Sequence, residues 1–139
     1  MNKTSGVLLC AVLSVTLVTT ACTPNTSAER HSRQYVHAAD DGFNPNFYVN
    51  KADSTRLMVP FFRQFHEMGI KDRAAGVSRE EMQQRVSQFH SEEFLKSIQS
   101  EEKFAGRTYN DSSTPSPKVL KAMGEAISAT YMDGYDGIE

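Results

Sequence analysis

Apolar residues follow two different patterns along this chain. Between Val7 and Val18 they form one nearly unbroken run, VLLCAVLSVTLV, interrupted only by Ser14 and Thr16; from Ala28 onward they recur among polar residues at helical intervals. The first pattern is too short for a membrane span, because crossing about 30 Å of hydrocarbon takes roughly 20 apolar residues. It is preceded by a single positive charge, Lys3, and followed by the small residues Thr19, Thr20 and Ala21, with no acid before Glu29. That layout predicts a secretory signal peptide. A buried core helix is the alternative, and it would have no polar face.

The second pattern predicts a series of short helices. Ser27 is placed to cap a helix from Ala28 to Ala39, with Tyr35, Val36 and Ala39 inward, ended by Asp40-Asp41-Gly42. Phe43–Asn50 (FNPNFYVN) predicts an ordered aromatic loop, because Asn44-Pro45 forces extended backbone; a short strand at Phe47–Val49 is conceivable. Asp53 or Ser54 opens the next helix, where Leu57, Phe61, Phe65 and Met68 form a stripe widened by Met58 and Phe62. Pro60 interrupts it, as a kink or as the first residue of a separate helix, and Gly69 is expected to stop it. Ser78-Arg79-Glu80-Glu81 is a capping box ahead of Met82, Val86 and Phe89. His90-Ser91 allows a further start, with Glu92 and Glu93 at the positive helix end and Phe94, Leu95 and Ile98 inward. Ser100–Pro115 is turn-rich, anchored by Phe104, Gly106 and Tyr109. Ser116-Pro117 is a cap followed by first-turn proline, leading into Val119, Leu120, Met123, Ile127, Thr130 and Tyr131, with Gly134 as the stop. The expected fold is an all-α compact bundle of four or five short helices following the signal.

Composition sharpens both patterns. Of the 139 residues, 12 of the first 21 are hydrophobic, and four of the seven leucines (Leu8, Leu9, Leu13, Leu17) lie there. Removal of the signal leaves three leucines beside 13 aromatics and five methionines, so the core must be closed largely by rings and thioethers. Fifteen Lys+Arg against 17 Asp+Glu, a net charge of −2, gives no footprint for nucleic acid. The two cysteines have separate fates. Cys10 lies inside the signal, while Cys22 directly follows Ala21 at its end, which resembles the lipobox of bacterial lipoproteins. The resemblance implies cleavage between Ala21 and Cys22 and diacylglycerol on Cys22, although Thr19 stands where leucine is usual. The ordinary-signal alternative leaves Cys22 as a stray thiol. With Cys22 lipidated, residues 1–21 are signal, 22–27 lipidated cysteine and short tether, and 28–139 a single helical domain without disulfides. Multiple acyl chains on one residue anchor durably, at about 0.8 kcal/mol per buried CH₂. Thr23, in place of an aspartate, implies the outer membrane by the sorting rule of enteric lipoproteins.

Candidate chemistry is sparse. His31, His37, His66 and His90 include no pair three or four apart, so no helix face carries adjacent metal ligands; His66-Glu67 begins like H-E-x-x-H but Ile70 occupies the second histidine position. His66 is expected to be a partly buried helix residue. There is no G-x-S-x-G, and a Ser–His–Asp set would have to be assembled by the fold. The acid pairs Asp40/Asp41, Glu92/Glu93, Glu101/Glu102 and Asp133/Asp136 predict caps and solvated faces rather than the opposed carboxylates of a glycosidase. Asp133-Gly134-Tyr135-Asp136-Gly137 lacks the further acids of a calcium loop. Arg56, Arg63, Lys71, Arg73, Arg79 and Arg85 give the middle of the chain a mild basic bias, as solvated faces or as an interaction surface. No catalytic residue, metal or cofactor is expected.

Several stretches taken together carry a family resemblance: TACTPN, AERHSRQYVHAADDGFNPNFYVNKADSTRLMVPFFRQFHEMGI, QFHSEEFLKSI, EKFAGRTYN and ATYMDGYDG. The chain resembles small enterobacterial lipoproteins grouped with the second entry-exclusion protein of mobilisable colicin-type plasmids, over nearly the whole mature chain. The resemblance implies a lipid-anchored envelope protein that limits plasmid uptake through a protein partner, without binding nucleic acid directly. The alternatives are an envelope hydrolase acting on peptidoglycan or lipid, and an anchored inhibitor or assembly partner of another envelope protein.

Overall fold

The structure, a computed structural model, describes residues 25–39, 51–101 and 115–139. The expected signal with Ala21 and Cys22, the expected aromatic loop with its candidate strand, and the expected anchors Phe104, Gly106 and Tyr109 lie outside the described residues. Within them the chain is all-α, with five helices: α1 (Ser27–Ala38), α2 (Lys51–Ala74), α3 (Arg79–Phe89), α4 (Glu92–Glu101) and α5 (Pro117–Asp136). No described helix is long and apolar enough to cross a membrane.

Helix starts follow from local polar chemistry. Ser78 accepts from the Glu81 amide at 3.3 Å while Glu81 accepts from the Ser78 amide at 2.9 Å, closing the expected capping box. Ser116 accepts from the Val119 amide, with Pro117 behind it in the first turn. At α1 the cap is Thr26, not Ser27. Thr26 and Glu29 form a second capping box, and this releases the Ser27 hydroxyl for a different partner.

Two helix ends differ from the sequence expectation. α2 runs through Gly69 to Ala74 and turns at Gly76 (φ +80°), and α5 runs through Gly134 to Asp136 and turns at Gly137 (φ +76°). At each turn the residue after the glycine donates its amide five residues back, Val77 to Asp72 at 3.0 Å and Ile138 to Asp133 at 2.8 Å. These paired bonds satisfy the last carbonyls, and only the left-handed backbone of glycine allows them without strain. α2 also begins earlier than expected, at Lys51, and carries Pro60 in its interior. The proline removes the bond to the Arg56 carbonyl; both residues are exposed, so water can take the donor's place.

The helices α1, α2 and α5 form the main packing unit, and α3 and α4 close over it. Ser27 at the start of α1 meets Asp133 at the end of α5, while Tyr35 and Ala38 border Ala122 and Ala126, so these two helices are antiparallel. Tyr35 also stacks edge-on against Phe62 of α2 at 5.7 Å, and both the start of α1 and His66 bond the chain end after α5. α2 is thus antiparallel to α1 and parallel to α5.

The core is built from rings. Phe61, Phe62, Phe65, Phe89, Phe94 and Tyr131 form a connected series of mostly edge-to-face pairs with centroids 5.2 to 6.4 Å apart. Such pairs add about 0.5–1.5 kcal/mol each beyond their area burial. Met82 and Ile127 are buried beside them, and Met58, Met68, Met123 and Met132 fill the margins. The stripe of α2 is rotated from its expected position: Phe62, Phe65 and Gly69 face inward, while Leu57 is 63% exposed.

Candidate functional site

The closest meeting of α2 and α5 sets the geometry around which polar side chains collect. A Cβ built on Gly134 would overlap the His66 carbonyl oxygen and lie 2.8 Å from the His66 carbonyl carbon; one built on Gly69 would overlap the Tyr131 carbonyl oxygen and lie 2.6 Å from the Tyr135 amide nitrogen. Two bare glycines let the backbones touch. That contact fixes the C-terminal turn of α5 against α2, leaving Asp133 facing α1 and Tyr135 facing the α2–α3 turn.

Asp133 is the centre of the resulting cluster. Its Oδ2 accepts from Ser27 Oγ at 2.8 Å, from Arg30 Nη2 at 2.9 Å and from His31 Nε2 at 2.9 Å. Burial works against the charged carboxylate, but hydrogen bonds from His31, Ser27 and Arg30, with the charge of His31, outweigh it and hold Asp133 below the ordinary aspartate value. Gln34 Oε1 lies 2.9 Å from the other His31 nitrogen and orients the ring. Arg30 extends the network: its Nη1 donates both to the Asn25 carbonyl at 2.9 Å and to the Glu139 carbonyl at 2.6 Å. His66 Nε2 meets the Ile138 carbonyl at 2.7 Å. The segment entering α1 and the segment leaving α5 are therefore held by one guanidinium. His66 is partly buried, as expected, whereas Asp133 is no solvated-face residue.

The pieces of a catalytic triad are present here without its order. Ser27 and His31 both bond the same carboxylate oxygen, so the imidazole is not placed to take the serine proton. Ser27 is also 1% exposed. His90 Nε2 lies 3.1 Å from Ser128 Oγ, a Ser–His pair, but the Ser128 side chain is buried with its helix among the bundle and has no opening to a substrate. Neither arrangement supplies an accessible nucleophile.

A second polar cluster lies across α5. Tyr131, fully buried, donates to Asp72 Oδ2 at 2.6 Å, and Arg85 of α3 reaches the same oxygen at 3.2 Å. Burial, then the Asp72 hydrogen bond and charge, push the Tyr131 hydroxyl well above the usual phenol range, so it stays a donor wherever the bundle is folded. Tyr135 donates to the Val77 carbonyl at 2.6 Å, with Arg73 and Arg79 at 5.3 and 5.9 Å from its ring and Arg79 paired to Asp136 at 2.8 Å. These contacts tie the α2–α3 turn to α5. Tyr131→Phe should lower stability by about 1.5–3 kcal/mol, the usual cost of deleting a hydrogen bond to a charged partner, read as a shift in the urea midpoint without a change in helix content.

Among the described residues no group of three His, Cys, Asp or Glu side chains could hold a metal ion, and no buried side-chain polar atom lacks a partner. A shallow groove between α1 and α5 is lined by Tyr35, Ala38, Ala122, Ala126, Ala129, Gln34 and one acid, Glu125. It does not present two opposed carboxylates. No protein-family model, no curated protein and no solved structure matches the chain.

The network missed by sequence reasoning had a local signal. Arg30 puts a cation in the first turn of α1, with His31 directly after it, where the helix dipole favours anions, so a carboxylate partner from elsewhere in the chain is favoured there. Thr26-x-x-Glu29 likewise marks the true cap.

Proposed function

We propose that this chain is a membrane-anchored bacterial lipoprotein of the entry-exclusion type, which limits plasmid DNA uptake by non-enzymatic contact with a protein partner in the cell envelope. The observation that carries this reading is the placement of Ala21-Cys22 at the end of a short apolar run with a basic start, within a chain whose motifs resemble that group. The chemistry of the folded part is compatible with it. Asp72, Asp133 and Asp136 each face an arginine rather than an open cleft, and Ser27 and Ser128, the two candidate serines, are both buried. The outer membrane is the proposed location, with Cys22 as the lipid attachment point; no cofactor enters the proposal.

A mating assay tests it. Recipients lacking the gene should take up the cognate mobilisable plasmid more often than recipients expressing it. Expression of Cys22→Ser should fail to restore exclusion, with the protein recovered in the soluble periplasmic fraction. Equal uptake by expressing and deleted recipients would remove the exclusion role. Membrane retention of Cys22→Ser would remove the anchor.

A further inference from the structure

The clasp around Arg30 has a consequence for how an anchored bundle must sit. Arg30 Nη1 bonds the Asn25 and Glu139 carbonyls together, so the segment that follows α5 lies directly beside the point where the tether joins the fold. Asn25 is three residues from Cys22, a reach of about 10 Å even when fully extended. Whatever occupies the end of the bundle around Ile138 must therefore share the first shell of space above a lipidated Cys22. Ile138 is 49% exposed there. On α2, Ile70 follows His66 by one turn on the same side; it is 44% exposed, and His66 is the residue that bonds the Ile138 carbonyl. These are two of the three large apolar side chains exposed among the described residues, and both lie at the tether end. The third, Leu57, is nine residues before His66, about 13 Å away along α2 towards the opposite end.

The cations at this end suit the same neighbour. Lys71 and Arg73 follow Ile70 on α2 and are exposed, Arg73 with its guanidinium over the Tyr135 ring; of the acids at this end, Asp133 and Asp136 are matched by Arg30 and Arg79, while Glu67 and Glu139 are exposed. Long basic side chains beside aliphatic ones can keep their charges among headgroup phosphates while their stems and neighbours enter the interface.

We propose that the bundle stands end-on against the bilayer, with Ile138 and Ile70 entering the membrane interface and Lys71 and Arg73 meeting lipid phosphates. The lipid surface is the occupant of this face, and the opposite end around Leu57 projects away from it. The inference rests on lipidation of Cys22 and adds an orientation to it: a partner protein would approach the distal end and the sides of the bundle, not the end that carries Asp133.

The chain contains no tryptophan, so one introduced indole reports a single position. Full-length lipidated protein carrying Ile138→Trp, Ile70→Trp or Leu57→Trp should be reconstituted into phosphatidylethanolamine–phosphatidylglycerol vesicles with or without brominated acyl chains. The first two variants should lose most of their emission in brominated vesicles, and Leu57→Trp should keep nearly all of its emission. Flotation with the vesicles and an unchanged helical spectrum establish that each variant is anchored and folded. Floating protein in which the two tether-end probes are quenched no more than Leu57→Trp overturns the orientation while leaving the anchor intact. Protein that fails to float removes the anchor, and the orientation with it.

Discussion

Gly134→Ala should be the most damaging small substitution in the described part of the chain. The added methyl would overlap the His66 carbonyl oxygen and press on the His66 carbonyl carbon and Cα at 2.8 and 3.0 Å. All three atoms belong to helix backbone, so no side-chain rotation relieves the overlap. α2 and α5 must separate, and that separation loosens Phe62, Phe65, Tyr131 and Tyr135, which are packed across or beside the same seam. Overpacking ordinarily costs about 1–3 kcal/mol; a backbone-to-backbone clash at the most extensive helix contact in the bundle should reach or exceed the top of that range. In a domain of this size each kcal/mol moves the melting temperature by about 4–8 °C, so a fall of 15 °C or more on the order of the clash is expected by circular dichroism. Gly69→Ala should behave alike. Gly76→Ala is the control: no atom lies within 4 Å of its added methyl, and only the positive φ opposes it, at about 1–2 kcal/mol. Comparable losses at Gly76 and Gly134 would show that the helices are not in backbone contact.

These glycines also mark where sequence reasoning reaches its limit. The Ser78 capping box and the Ser116-Pro117 start were legible because donor and acceptor lie within three residues, as Ser78–Glu81 and Ser116–Val119 do. Glycine has two uses with one letter. Gly69 and Gly134 read as stops, yet they are contact points, while Gly76 and Gly137 a few residues later make the turns. Local spacing cannot separate a residue chosen for its φ from one chosen for its missing Cβ, since the second depends on a helix more than sixty residues away. The stripe of α2 shifted for a related reason. Leu57 and Phe61 fit helical spacing as well as Met58, Phe62 and Phe65 do, and the choice was made by which rings α1, α3 and α5 could surround. The aromatic character of the core, by contrast, was fixed by composition once four leucines were assigned to the signal.

The candidate site was less legible than the fold. Asp133 reads locally as one of two acids near a helix end, and its donors come from residues 102 to 106 positions earlier. Nothing near Asp133 announces them. The cations misplaced for the dipole at the start of α1 were the available clue, and they show that a rule broken locally can be satisfied from a distance.

Asp133→Ala should release the clasp and cost about 2–3 kcal/mol at pH 7, with most of the loss arising from groups left behind. Ser27 is 1% exposed and would lose the acceptor for its hydroxyl, and the His31 side chain is 12% exposed. An orphaned buried donor carries its full desolvation penalty, about 1–3 kcal/mol. Arg30 contributes less, because its side chain is 36% exposed and water can replace the carboxylate. Asp133→Asn, which retains an oxygen acceptor without the charge, should keep the Ser27 bond and recover about half of the loss. The pH dependence has a definite sign. The folded carboxyl is held below its ordinary value, so its stabilising contribution is complete above the unfolded aspartate pKa of about 3.9 and disappears as pH falls through the lower folded value. Urea midpoints of wild type and Asp133→Ala should differ fully at pH 7 and pH 5, and the gap should narrow as pH falls below about 4 and through the lower folded value, with the wild type losing more stability across that interval. A gap that stays constant down to pH 2.5 would mean that the charge on Asp133 does not hold α1 to the end of α5. The same loss should appear in the tether: once Arg30 is freed from Asp133, its hold on Asn25 and Glu139 weakens, and amide exchange at the start of α1 and at Ile138 should accelerate together, before the exchange of buried Tyr131 changes.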